Sequence, residues 1–274
     1  NTAVGYYGLG ANTTGDKNTC LGSGAMSANT TGVNNVAVGV QALYGNTTAS
    51  NNTAVGYQSL DQNTTGANNI AVGSQALGVN TTGASNVAVG YLALDANTTA
   101  DNNTAIGYAA LGANTTGTKN VAVGYNAGLS ITTGSYNFAA GAEALDKLTT
   151  GQQNVAIGQA SLTEVVTSNY NTAVGSNSLV NNVAHDNTAF GARALYTNST
   201  GSNNVGVGAS ALTANTTGTQ NVAVGALALD ANTTANRNVA VGYAALSASN
   251  SDDNVAIGYE AMKVATTGTD SVAI

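Results

Sequence analysis

The sequence predicts an all-β fold, a parallel β-solenoid of 17-residue coils, on three observations. A glycine-ended motif, N-x-A-V-G, recurs at fixed spacing from end to end. The composition suits a thin core extended along one axis rather than a globular one. The repeating unit is also too short, and too rich in Gly, Asn and β-branched residues, for a helical repeat.

The spacing is the strongest of these. Motif glycines stand at Gly5, Gly22, Gly39, Gly56, Gly73, Gly90, Gly107, Gly124, Gly141, Gly158 and Gly175, always 17 residues apart. The series continues through Gly191, Gly208, Gly225, Gly242 and Gly258, with 16-residue intervals before Gly191 and Gly258. The unit reads N-[VT]-A-[VI]-G-[YS]-x-A-L-x-x-N-T-T-G-x-x. This describes one repeat domain over residues 1–274, about 16 coils. The chain starts and stops inside a unit, so the expectation is a fragment of a longer fibre.

Composition agrees. Only 7% of residues are charged, against roughly 25% in an ordinary domain. There is no Pro or Trp, there are 34 Gly, and much of the 43% hydrophobic content is Ala and Val. Such a chain builds a repeat stack more readily than a ball-shaped core. The net charge of −7 and the scattering of six Lys and Arg exclude a nucleic-acid backbone as partner. No run of 18 apolar residues is present to insert into a membrane.

Within each motif, strand alternation places the residues three and one before the Gly on one face and the Ala between them on the other. Large apolar residues at the first two slots, such as Val36 and Val38 or Ile70 and Val72, are expected to point inward. Ala holds 15 of the 17 intervening slots, the exceptions being Cys20 and Gly206, and is expected to point outward. Leu stands four residues after the Gly in 13 of 16 coils; which of the Ala-Leu pair faces in is left open by alternation. Charges respect the same frame, since Asp61, Asp95, Asp146 and Asp230 share one slot and Glu143, Arg193 and Glu260 another. Coils about 4.8 Å apart would stack Asn35, Asn52, Asn69, Asn86 and Asn103 into an amide ladder along a rod on the order of 75 Å long.

An outer column restricted to Ala implies close approach by another backbone. Self-association as a homotrimer, about an axis parallel to the rod, is the economical arrangement. The alternative is a monomer whose Ala column makes a tight contact within its own coil.

The core N-V-A-V-G-Y-N-A at Asn120 to Ala127 resembles the head repeats of trimeric autotransporter adhesins of the YadA type. The longer unit at Asn52 to Gly66, N-T-A-V-G-Y-Q-S-L-x-x-N-T-T-G, is similar to repeats of bacteriophage tail fibres and related bacterial surface proteins. The resemblance covers the whole chain. It implies a left-handed β-roll, a homotrimer and a place outside the cell, and the 17-residue coil and N-T-T segment depart from the shorter adhesin unit.

Material for catalysis is sparse: no nucleophile–base or metal-ligand constellation is visible, no cofactor is implied, and the chain reads as a non-enzyme. His185 is the only His and lies in a shortened coil, where it reads as a turn residue. Cys20 reads as a small buried residue of the Ala column. Asp252 and Asp253 with Asn250 are a weak cation candidate, more simply a solvated loop. Asn12, Asn29, Asn46, Asn63, Asn80, Asn97, Asn114, Asn198, Asn215 and Asn232 each open an N-x-[ST] sequon at the same turn. They are either glycosylation sites or turn-forming residues beside a Thr ladder. Of the two Thr in each N-T-T, one can be exposed, a single row rather than the broad array that ice binding needs. Tyr57, Tyr91, Tyr108 and Tyr125 form a surface ladder that either contacts sugars or packs on itself. Between Gly128 and Tyr170 the Asn of N-T-T is lost and bulkier residues enter, Ile131, Phe138, Val165 and Val166 among them, as either a locally altered surface or tolerated drift.

These observations lead to a structural or adhesive shaft segment of an extracellular fibre, foremost a bacteriophage tail fibre supporting host attachment, located at the virion surface or otherwise outside the cell. The alternative is a secreted or cell-surface adhesin or filament protein that binds a glycan, a surface or ice. Self is the expected partner, with a cell-surface glycan or receptor as a second.

Overall fold

The protein is a parallel β-solenoid of about 16 turns, seen in a computed structural model that describes residues 1–264 and 267–274. Each coil contributes one three-residue strand ending at the motif Gly, and no helix occurs among the described residues. The chain divides into two compact units, Asn1–Asn137 and Phe138–Ile274. In the first, strands run from Thr2–Val4 to Val121–Val123 and pair in parallel at the repeat offset, Val36 opposite Thr53 and Thr53 opposite Ile70. In the second, the register Thr172 to Thr188 and Val239 to Val255 absorbs the two missing residues without breaking the pairing.

The strand faces are the reverse of the expectation. Ala37, Ala54, Ala71, Ala88, Ala105 and Ala122 are fully buried, and the Val, Ile and Thr on either side of them face outward, half-buried or exposed. The reason is the small bore of the coil. At Gly206, which holds an Ala slot, an added Cβ would stand 3.4 Å and 3.5 Å from the Leu195 side chain and 3.3 Å from the Ala211 carbonyl. Leu from the turn already fills the space opposite the strand, so the inward slot holds small side chains only, Ala in most coils and Cys20 or Gly206 in two. The outward Ala column that suggested a trimer therefore does not exist; the column packs inside its own coil.

Both residues of the Ala-Leu pair point inward, Ala42 and Leu43 being wholly buried. Strand alternation does not apply there because the chain turns twice. Gln41 (φ 56°) and Leu43 (φ 54°) lie in the left-handed region, as does Asn51 (φ 62°) before the next strand. A non-glycine residue there costs roughly 1–2 kcal/mol, offset at Leu43 by full burial and by an N–H···O bond of 2.9 Å to Ser59 in the next coil. The motif Gly is obligatory for a different reason: at Gly56 (φ 137°) a Cβ would collide with the carbonyl of Gly73.

Candidate functional site

Two asparagine ladders occupy the interior: the first is the amide column expected at Asn35 to Asn103, and the second is built from the N-T-T asparagines, which sequence reasoning placed at turns. In the first, the backbone N–H of Asn52 donates to Asn35 Oδ1 (2.9 Å), and Asn52 Nδ2 donates to the Gly66 carbonyl (2.9 Å). In the second, Asn63 Nδ2 donates to Asn46 Oδ1 (3.1 Å) and to the Gly66 carbonyl three residues on (2.9 Å). One glycine carbonyl thus joins the two ladders. Buried amides fully paired in this way cost little and fix the register of each coil.

The second ladder has a direction, since each Nδ2 donates to the preceding coil. Where the following coil lacks Asn, the last Oδ1 loses its donor. Ile131 follows Asn114 and Ser249 follows Asn232, and the Oδ1 atoms of Asn114 and Asn232 are buried without a hydrogen-bond partner. Ile131, Leu148 and Val165 are themselves buried, so the stretch from Gly128 to Tyr170 exchanges an interior amide for an interior hydrocarbon rather than altering a surface.

The same geometry corrects the sequon reading. Asn29, Asn46, Asn63, Asn80, Asn97, Asn114, Asn198, Asn215 and Asn232 are fully buried, and Asn12, in the first coil, is half-buried. The nitrogen a glycan would occupy donates to carbonyls inside the coil, so these are ladder residues. The first Thr of each N-T-T supports the stack, as in Thr64 Oγ1 donating to the Thr81 carbonyl at 2.9 Å. The second, as at Thr65, Thr82 and Thr99, is exposed.

Outside, the strand face is a regular apolar feature. Ile70, Ile106 and Val123 are 40–42% exposed, with Val and Thr half-buried between them. No strand contains a charged residue. This face was misassigned to the core by reading size as depth.

The tyrosines lie on the turn after the Gly. Tyr91 and Tyr108 stack with centroids 5.5 Å apart and planes 29° apart, and Tyr108 and Tyr125 at 5.3 Å and 20°. This trio packs on itself as a ladder, with both faces of Tyr108 covered by its neighbours. Tyr57 is exposed and stands apart, with Val40 and Ser74 at its slot in the adjoining coils.

Charged groups serve the turns. Gly78 separates Asp61 from Asp95 in their shared column, which opens a cleft of about 170 Å³ with Gln58 and Gln75. Burial raises both carboxyl pKa values, and Asp61 Oδ1 is buried without a partner. Asp253 forms a two-pronged ion pair with Arg237, at 2.6 Å for each arm, and the guanidinium's hydrogen bonds lower its pKa. Asp252 Oδ1 accepts the Asn236 N–H at 2.8 Å, and Asn250 Oδ1 accepts those of Thr233 and Thr234, so this trio is spent on holding the turn of the preceding coil. Among the described residues no group of three or more His, Cys, Asp or Glu comes together to hold a metal.

His185 accepts the Asn169 backbone N–H on Nδ1 at 3.0 Å, a role taken by Ser50 toward Val33 and by Asp101 toward Ala84 in other coils. The shortened turn around it keeps both ladders, since the Ala184 carbonyl accepts from Asn171 and Asn182 where other coils use a Gly or Ala one residue later. Cys20 is buried in the Ala column, and burial raises its thiol pKa, which suppresses thiolate chemistry. No known family model matches the sequence, and no curated protein is significantly similar to it.

Proposed function

We propose that this chain is a shaft segment of an extracellular fibre, of the bacteriophage tail-fibre kind that supports host attachment, and that it assembles through its strand face as a homotrimer. The observation that carries this reading is the uncharged, apolar outer face of the strands, repeated at every coil. Covering half-exposed Val and Ile contributes on the order of 1 kcal/mol per coil. Summed over 16 coils, that exceeds the roughly 4–15 kcal/mol lost in association.

The absence of charge on this face matters equally, because chains of net charge −7 must approach along their full length. A count of three follows the resemblance to trimeric adhesin repeats, now supported by the Val and Ile columns instead of the Ala column. Light scattering with size exclusion tests it: about three times the 26.8 kDa chain mass is expected. A stable monomer at micromolar concentration removes the assembly and with it the fibre.

A further inference from the structure

Among the side chains that a coil presents outward after its Gly are those one, two and five residues beyond it. In the second coil these are Ser23, Gly24 and Ser27, the smallest such set in the chain. The preceding coil carries Tyr6 and Tyr7 at the first two of these slots, and the following coil carries Tyr44 at the third. The result is a notch one coil wide with a volume of about 390 Å³, at the small end of the roughly 300–1,000 Å³ of small-ligand sites.

Its walls are aromatic. Tyr6 and Tyr7 meet edge to face, with centroids 4.6 Å apart and planes 80° apart. Opposite, the Tyr44 ring reaches over Gly24, its Cδ2 standing 3.5 Å from where a Cβ would sit. Backbones two coils apart are about 9.6 Å apart, and Tyr6, Tyr7 and Tyr44 border the space over the second coil. The floor is held by strong backbone bonds, Gly24 N–H to the Tyr6 carbonyl at 2.8 Å and Gln41 N–H to the Ser23 carbonyl at 2.9 Å.

The lining is polar without being charged. Gln41 Oε1 accepts from Gln58 at 3.0 Å, which fixes the amide and leaves its Nε2 to donate elsewhere. The Ser23 and Ser27 hydroxyls lie on the floor. A purely apolar ligand would strip water from these groups and return no hydrogen bond. A charged ligand would meet no counter-charge. We infer that this notch binds a neutral pyranose, its C–H face against the tyrosines and its hydroxyls toward Ser23, Ser27 and Gln41. The notch lies on the turn just beyond the strand face, and its lining comes from one chain alone.

The test is saturation-transfer NMR with methyl glucopyranoside, galactopyranoside and mannopyranoside. A single ring in an open site should bind at least one of them with a roughly millimolar Kd. Ser23→Tyr fills the notch, and the fold accepts Tyr at that slot at Tyr57, Tyr91 and Tyr108. Ser23→Tyr and Tyr44→Ala should each weaken binding about tenfold or more. Ser74→Tyr, the same change at the same slot away from the notch, should leave it intact. No transfer to any of the three sugars from the unsubstituted protein overturns the inference. So does equal transfer with Ser23→Tyr, or preferential binding of phenol over all three pyranosides.

Discussion

Replacing Asn63 and Asn114 by Leu in separate variants should have unequal consequences, although the two residues occupy the same slot of the same repeat. Asn63 Nδ2 donates to Asn46 Oδ1 and the Gly66 carbonyl, and its Oδ1 accepts from Asn80 Nδ2 at 2.9 Å. Leu keeps the same branched skeleton, with two methyls bulkier than the amide groups they replace, and that steric change is common to both variants. It strands Asn46 Oδ1 and one N–H of Asn80 in the interior, and each buried orphan costs about 1–3 kcal/mol. The added apolar burial returns roughly 1.5–3 kcal/mol, leaving a net loss of about 1–3 kcal/mol. Asn114 differs because Ile131 follows it and its Oδ1 is already unpartnered. Asn114→Leu strands only Asn97 Oδ1, held at 3.3 Å, and removes an existing orphan. Its net effect should lie near zero. At roughly 2–4 °C per kcal/mol for a chain of this size, Asn63→Leu should melt about 2–12 °C lower than Asn114→Leu in circular-dichroism melts at equal concentration. Equal melting temperatures, or a lower one for Asn114→Leu, would refute the directional ladder.

Other expectations follow from the same structure. Ala88→Leu overpacks the bore and should cost about 1–3 kcal/mol, whereas Thr82→Leu on the exposed N-T-T turn should stay within about 0.5 kcal/mol; thermal melts separate the two. Burial raises the carboxyl pKa of Asp61 and Asp95 above the unfolded value. Their contribution to stability is therefore greatest below about pH 4 and declines as pH rises through the folded-state pKa. Asp61→Asn should flatten that decline and stabilise the neutral protein by up to about 1 kcal/mol, seen by comparing melts at acidic and neutral pH. Ser85 sits at φ 59° in a slot that holds Asn at Asn34, Asn51, Asn68 and Asn102. Ser85→Asn should raise stability by about 0.5 kcal/mol, since Asn tolerates the left-handed conformation better, again read from the melting temperature.

The coil length, the strand position and the obligatory Gly were legible because each is a matter of spacing, which a period reports directly. The choice of inner face was not, because alternation separates two faces without saying which is inside. Size misled: in a coil of 17 residues, Leu43 and two Asn columns fill the bore, so the large Val goes out and the small Ala goes in. Substitution within the columns carried the missing signal. The slot of Val36 accepts Thr19, Thr53, Thr104 and even Phe138, a tolerance that belongs to a surface, while the Ala slot accepts only Cys20 and Gly206. The second Asn ladder announced itself similarly, since Ile131, Leu148 and Val165 replace it and hydrocarbon is not the usual substitute for an exposed turn amide. The aromatic notch depends on which small coil falls between two tyrosine-bearing ones, and that emerges only once coils are stacked in register.

The assembly rests on the outer strand face, and charge placed there should abolish it. In one double variant Val89 and Val123 become Lys; in another Thr82 and Thr116, exposed on the N-T-T turn, become Lys. Both pairs point to solvent in the single chain, so both variants should fold with unchanged circular dichroism. Light scattering at micromolar concentration should then give the 26.8 kDa chain mass for the strand-face variant and about three times that mass for the turn variant and the unsubstituted protein. A monomeric unsubstituted protein, or one mass shared by both variants, would contradict assembly through the strand face.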